Sequence, residues 1–121
     1  MSVSRTVIDR RQRIAQVLVE NFDLGEGVNV KSTGSFTIQE GNEYTSGEYS
    51  IPLFVHFEDD LSDDDTHQVN LNIVFAPESD EVYEVFALVN DTGNMLGEPI
   101  VGNPDLVQSL LRESKRKQNQ G

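Results

Sequence analysis

Cysteine and tryptophan are both absent from this chain of 121 residues. Without cysteine, the protein cannot have a nucleophilic thiol, a zinc–cysteine site, an iron–sulfur cluster or a disulfide. No stretch approaches the roughly 18 consecutive apolar residues of a membrane-spanning helix. The N-terminus, MSVSRTVIDRRQR, also carries charges where a signal peptide has an apolar run. We therefore expect a cytoplasmic protein that does not bind a membrane.

Positive charge is almost missing from the middle of the sequence. From residue 14 to residue 111 the single cation is Lys31, against 19 carboxylates, and the formal net charge of the chain is −12. Proteins bind nucleic acids and anionic membranes through lysine and arginine. This distribution therefore argues against direct nucleic-acid binding and favours a basic protein surface as the partner. The other cations lie near the two ends of the chain: Arg5, Arg10, Arg11, Arg13, Arg112, Lys115, Arg116 and Lys117.

The hydrophobic pattern predicts one α+β domain over residues 1–121. A helical spacing of apolar residues covers 4–22, with Thr6 and Asp9 as a capping pair and Arg10, Arg11 and Arg13 on the solvent side. Alternating apolar and polar residues then predict strands over 28–38, 48–57, 67–76 and 81–89, with a short edge strand after residue 94. Polar loops without helical pattern join these strands, so we expect an antiparallel meander of four or five strands.

A C-terminal helix is predicted over NPDLVQSLLRESKRK, residues 103–117. Asn103 is a suitable N-cap, and Pro104 and Asp105 are favoured in the first turn. The cations at its other end suit the negative end of the helix dipole. The basic tail from about residue 115 to 121 should fray. If the two helices lie side by side, their cations form one basic patch.

The most acidic stretch of the sequence is FEDDLSDDDTHQ, residues 57–68, in which six of the twelve residues are carboxylates. It has no glycine and no pair of flanking helices, so it is not an EF-hand loop. Three interpretations stay open: a solvated hairpin loop, a loop that binds a metal ion, and a contact for a basic partner. For the third we predict the binding residues Glu58, Asp59, Asp60, Asp63, Asp64 and Asp65.

Other motifs give little support for catalysis or for a cofactor. His56 and His67 flank the acidic stretch and, with Glu58 and Asp65, are one conceivable metal-ligand set. The sequence contains no GxSxG elbow and no glycine-rich phosphate loop. We predict no catalytic residue, no resident metal and no cofactor, and no motif identifies a family.

One face of the predicted sheet has apolar residues that its first helix cannot cover. Large apolar side chains rarely stay fully exposed in a contiguous patch. The second helix, the segment MLGEPIV or a partner subunit should therefore cover this face. As a possible homodimer face we predict Phe54, Val74, Phe86 and Leu88.

These observations favour a non-enzymatic, acidic protein-interaction module. It would bind a basic protein surface, for example as an inhibitor that imitates nucleic-acid charge, or as a chaperone or adaptor. In the inhibitor version Glu40, Glu43 and Glu48 join the acidic stretch in imitating phosphates. One alternative is a ligand-binding or catalytic domain whose pocket between helix and sheet is lined by Tyr49, Phe57, Phe75 and Tyr83. A second alternative is a salt-adapted protein, whose acidity concerns the solvent.

Overall fold

The computed structural model describes residues 3–101 and begins with one helix, α1 (Arg5–Asn21). Ser4 is the N-cap, and its hydroxyl accepts a hydrogen bond from the Val7 amide at 3.3 Å. The predicted capping pair of Thr6 and Asp9 is wrong, because both residues already lie inside the helix. Phe22 has extended backbone and ends the helix while its amide still donates to Leu18. No helix within residues 3–101 has the length and apolar character needed to cross a membrane.

Six strands follow the helix and form one antiparallel sheet, which confirms the predicted α+β architecture. The sheet has one strand more than the four or five that were predicted. Its spatial order is β1-β3-β4-β5-β6, and β2 also pairs with β3. The strands from β3 to β6 form the predicted meander. The predicted C-terminal helix, residues 103–117, lies outside the described residues. The strands are β1 (Val28–Thr33), β2 (Thr37–Gln39), β3 (Gly47–Phe57), β4 (His67–Phe75), β5 (Val82–Val89) and β6 (Met95–Val101).

The extra strand arises because the predicted strand over 28–38 is interrupted. β1 pairs with one half of β3 and β2 with the other half. The amide of Gly34, between β1 and β2, donates to the Pro52 carbonyl at 2.8 Å. In an antiparallel strand the N–H and C=O of one residue point to the same side. The nitrogen of Pro52, which has no hydrogen to donate, therefore faces this interrupted edge.

The core lies between α1 and one face of the sheet. Strict alternation along the two central strands places every second side chain in this core, as the sequence pattern predicts. Ala15 and Leu18 of α1 pack against them and are fully buried. Each such side chain contributes about 1.5–3 kcal/mol through burial when it is the size of valine or larger. The buried strand residues are Tyr49, Ile51, Leu53, Val55, Val69, Leu71, Ile73, Phe75, Val85, Ala87 and Val89.

Three residues that simple alternation along the strands would place in this core are largely exposed. Val30 and Ile38, in the interrupted edge, are 51% and 38% exposed. Tyr83 is 59% exposed because a bulge intervenes: Phe75 pairs with Val82, whereas Val74 pairs with Glu84. A bulge places two residues opposite one, so the inward parity changes at that point. Periodicity alone could not predict either irregularity.

Arg11 is fully buried, so its predicted place on the solvent side of the helix is wrong. Its guanidinium donates to three backbone carbonyls, those of Ser79 at 2.7 Å, Glu40 at 2.8 Å and Ala76 at 3.0 Å. It also lies 5.3 Å from the centre of the Phe75 ring. Because burial desolvates the guanidinium, the pKa of Arg11 is lowered, although negative charge nearby partly offsets the effect. Arg11 therefore cannot belong to a surface basic patch.

Candidate functional site

The acidic loop, residues 58–66, connects β3 to β4 at one end of the sheet. The last pair before the loop is Val55 with His67, so the loop closes a long hairpin. Two short turns shape it: the Asp60 amide donates to the Phe57 carbonyl at 3.0 Å, and the Asp65 amide donates to the Ser62 carbonyl at 3.1 Å. These bonds give the loop a defined backbone, which fixes where its side chains begin.

Asp60 is the one carboxylate of the loop that points inward, with its side chain 13% exposed. Its Oδ2 accepts from the Phe57 amide at 2.9 Å and lies 3.3 Å from His56 Nδ1. Its Oδ1 lies 2.9 Å from His67 Nε2. Desolvation raises the pKa of Asp60, but the Phe57 amide and the two histidines outweigh it and hold that pKa below the ordinary 3.8. Asp60 thus anchors the loop to both strands.

Lys31 of β1 provides a second anchor for the loop. Its Nζ donates to the Asp63 carbonyl at 2.9 Å and lies 3.4 Å from the Thr66 hydroxyl. The contact uses a backbone oxygen, so no carboxylate of the loop is paired with this ammonium group. The lysine that interrupts the acidic middle of the sequence therefore orders the loop while leaving its side-chain charges free of direct pairing.

The structure divides the six predicted binding residues into two groups. Asp60 is inward and contacts histidines, whereas the other five are exposed and form no ion pair with any residue in the described range. Holding like charges together in a short loop creates a local negative potential, which extends about 8 Å at physiological salt. The five exposed carboxylates, called the outward carboxylates below, are Glu58, Asp59, Asp63, Asp64 and Asp65.

The further carboxylates expected to join this surface lie elsewhere. Glu40 and Glu43 are in the connection between β2 and β3, and Glu48 pairs with Val74. Since β3 runs 11 residues from Gly47 to the acidic loop, these residues are at the opposite end of the sheet. The structure therefore does not bring Glu40, Glu43 and Glu48 together with the outward carboxylates.

The two histidines do lie close together across the hairpin, but not in the conceivable ligand set with Glu58 and Asp65. His56 Nδ1 is 3.0 Å from the backbone oxygen of Asp65 rather than from its carboxylate. Asp60, which that set left out, contacts both rings. Across residues 3–101, no group of three or more histidine, cysteine or acidic side chains is arranged to hold a metal ion. The role of Asp60 depends on the pairing of Val55 with His67, a register that the sequence leaves open.

The second face of the sheet mixes apolar side chains with amides. Phe54, Val74, Phe86 and Leu88 are all half-buried on this face. Along β4, Gln68 donates to Asn70 at 3.0 Å, and Asn70 donates to Asn90 at 3.1 Å. The segment MLGEPIV does not cover the face, because it forms β6 and extends the sheet. The dimer face stays a prediction.

A cleft of about 410 Å³ lies between α1 and the β1 side of the sheet. The predicted pocket residues do not line it: Tyr49 and Phe75 are buried in edge-to-face contact, Phe57 stacks near His67, and Tyr83 is exposed. The polar lining comes from Gln16, Glu20 and Thr33, and the apolar lining comes from Val19, Phe22, Val30, Phe36 and Leu53. The interrupted edge strand leaves this opening, which explains why periodicity pointed to the wrong residues.

The chain matches no protein-family model, no curated protein and no solved structure.

Asp60→Asn is expected to destabilise the protein at pH 7. The asparagine side chain is neutral and has one acceptor oxygen, whereas the Asp60 carboxylate accepts from the Phe57 amide and contacts both histidines. A carboxylate with a depressed pKa stabilises the folded state above its unfolded pKa, near 3.8, and this contribution is lost as the pH falls through the lower folded pKa. The difference between the melting temperatures of the two proteins, measured from pH 7 to pH 3, should therefore begin to narrow as the pH falls below about 4. A constant difference over that range would contradict the anchoring role, and Asp59→Asn is the exposed control.

Proposed function

We propose that the protein is a non-enzymatic binding module whose acidic loop binds a basic protein surface. The observation that carries the proposal is the arrangement of the loop: five exposed carboxylates on a backbone held by Asp60 and Lys31. A solvated loop needs no such anchoring. Anchoring reduces the conformational entropy that binding would otherwise cost.

Electrostatics supports a cationic partner. The outward carboxylates repel one another, and a cluster of lysines or arginines relieves this repulsion on contact. Within residues 3–101 the exposed cations are Arg5, Arg10, Arg13 and Lys31, and Lys31 is already bonded to the loop backbone. Because Glu40, Glu43 and Glu48 lie at the other end of the sheet, a nucleic-acid mimic would use only the loop. An adaptor or chaperone that binds a short basic segment fits this smaller area equally well.

Two finer features belong to the same proposal. A second helix over residues 103–117 and a homodimer through the face of Phe54, Val74, Phe86 and Leu88 are the two remaining ways to cover the second sheet face. They differ in the molar mass of the purified chain, 13.5 kDa for a monomer or twice that for a dimer, which light scattering measures directly.

The proposal is tested with a ten-residue lysine peptide as the basic probe. The loop variant Asp59→Asn/Asp63→Asn/Asp64→Asn/Asp65→Asn is expected to bind it at least about fourfold more weakly at 50 mM salt, since four exposed ion pairs contribute about 0.2–1 kcal/mol each. The matched control is Glu40→Gln/Glu43→Gln/Glu78→Gln/Glu81→Gln. It also removes four negative charges, but at the opposite end of the sheet. Its affinity should change less than threefold, as titration calorimetry measures.

Equal losses in the two variants would contradict a loop-specific site, because both proteins keep the same net charge. The same samples separate the salt-adapted alternative. A protein whose acidity concerns the solvent should gain stability in molar potassium chloride, and both charge variants should reduce this gain alike. If the loop binds a basic partner, binding should weaken as the salt concentration rises, and the protein should not gain stability in molar potassium chloride.

A further inference from the structure

We propose that the cleft between α1 and β1 binds a small amphipathic amine, with an apolar or aromatic body and one protonated nitrogen. This inference does not rely on the acidic loop. It begins from Val30, which has the inward parity of its strand yet is 51% exposed. Its strand partner Val55 is fully buried, so the packing that covers β3 at this level leaves the neighbouring position on β1 half open.

The cleft has the size and lining of a small-molecule site. Its volume of about 410 Å³ lies in the range of 300–1,000 Å³ that is usual for such sites. Five apolar side chains, two of them the phenylalanines Phe22 and Phe36, face three polar ones. An aromatic body would therefore have both aliphatic and aromatic partners, and it would remove Val30 from water.

The negative charge in the lining of the cleft favours a ligand with a positively charged group. Glu20 is the one ionised side chain among the lining residues, and its Oε1 accepts a hydrogen bond from Gln16 at 2.9 Å. This bond orients the carboxylate and leaves Oε2 for another donor. Lys31, the neighbour of Val30 in sequence, directs its ammonium group to Asp63 and so does not line the cleft. Among the described residues that line the cleft there is no cation to offset the repulsion between Glu20 and a carboxylate ligand, whereas an amine would form an ion pair with Glu20.

The test compares ligands that differ only in the charged group. 4-Phenylbutylamine and 4-phenylbutanoate are titrated into the ¹⁵N-labelled full chain at pH 7, and butylamine serves as a probe without the ring. We expect 4-phenylbutylamine to shift the amide resonances of Val19, Glu20, Val30 and Phe36 in a saturable way. Its affinity should exceed that of 4-phenylbutanoate at least tenfold, and butylamine should not saturate these shifts.

Two variants assign the interaction to the cleft. Glu20→Gln should weaken 4-phenylbutylamine about fivefold, as expected for a partly exposed ion pair, and should reduce the preference over 4-phenylbutanoate. Val30→Asn, at a half-exposed position that tolerates a polar group, should weaken both ligands. Glu43→Gln is the control, because it removes an equivalent charge at a distant exposed site.

Three results would overturn the proposal. The first is equal affinity for the amine and the carboxylate, and the second is a set of amide shifts confined to the acidic loop. The third is binding of a phenylalanine-containing lysine peptide at the cleft while 4-phenylbutylamine fails to bind, because the cleft would then anchor a protein partner. Failure of the lysine peptide at the acidic loop would leave this inference intact, so the two proposals fail separately.

Discussion

Arg11→Met is expected to lower the free energy of unfolding by about 3–5 kcal/mol. Hydrogen bonds to a charged group contribute about 1.5–3 kcal/mol each, and removal of the buried charge relieves part of its desolvation cost. Methionine keeps much of the side-chain volume and the helix propensity of arginine, so the loss reflects the missing guanidinium. Three backbone carbonyls, at Glu40, Ala76 and Ser79, would lose their charged donor. The Ala76 carbonyl keeps the Ser79 amide as a second donor at 3.1 Å, so the loss falls mainly on the carbonyls of Glu40 and Ser79.

The effect is large because Arg11 joins parts of the chain that are far apart in sequence. Its partners are 29, 65 and 68 residues away. They belong to the connection after β2 and to the turn between β4 and β5. A lysine could not replace it, since one ammonium group cannot match the fork geometry of three donors aimed at two loops. Arg11→Lys should therefore recover less than half of the loss.

Urea denaturation followed by circular dichroism measures this prediction, since the chain has no tryptophan to report unfolding. Arg13→Met is the matched control: it makes the same substitution in the same helix at an exposed position. Its effect should stay within about 0.5 kcal/mol. Similar losses in the two variants would show that helix charge, rather than the buried contacts of Arg11, sets the stability.

The helical spacing of the sequence indicates that Arg11 is buried, but the charge of arginine favours the opposite prediction. Residues 11, 15 and 18 follow the 4-and-3 spacing of a helix face, and Arg11, Ala15 and Leu18 are the three buried residues of α1. Periodicity thus placed Arg11 on the core side, whereas residue type placed it in water. A buried arginine requires backbone acceptors from distant loops, and no local pattern shows where such acceptors will lie.

The sheet was predictable where alternation is regular and unpredictable where it breaks. The bounds of β3 and β4 agree closely with their patterns, because both strands bury every second residue over most of their length. The register shifts at Val30/Ser32 and Val74/Phe75 changed which side chains face the core, and periodicity does not show such shifts. The acidic loop was recognisable from composition alone, but the inward turn of Asp60 depends on a hairpin register that composition does not contain.

Gly97→Ala is expected to destabilise the protein by about 2–4 kcal/mol, which combines a packing cost with a backbone cost that the smaller entropy of the unfolded alanine chain partly offsets. Gly97 lies at the bulge in β6 with φ of +70°, a conformation that costs an alanine about 1–2 kcal/mol. A Cβ atom there would also collide with the carbonyl oxygen of Asp23. The colliding atom is backbone, so the loop after α1 must move, and overpacking of this kind costs about 1–3 kcal/mol more.

The chain has a matched control for the backbone cost alone. Gly93 has the same φ of +70°, yet a Cβ atom added to it would meet nothing within 4 Å. Gly93→Ala should therefore cost only about 1 kcal/mol, because the smaller entropy of the unfolded alanine chain offsets part of the strain. The difference between the two variants, measured by urea denaturation, isolates the close approach of β6 to Asp23.

The packing cost has a structural consequence that can be observed separately. Leu24 follows Asp23 and is 7% exposed as part of the core, and its Cα lies 3.6 Å from the position of the added Cβ atom. Movement of Asp23 therefore pulls Leu24 away from the core. In Gly97→Ala, hydrogen exchange at residues 22–27 should accelerate, whereas in Gly93→Ala it should not. Equal stabilities and equal exchange in the two variants would mean that this contact between the helix exit and the edge strand does not hold the fold together.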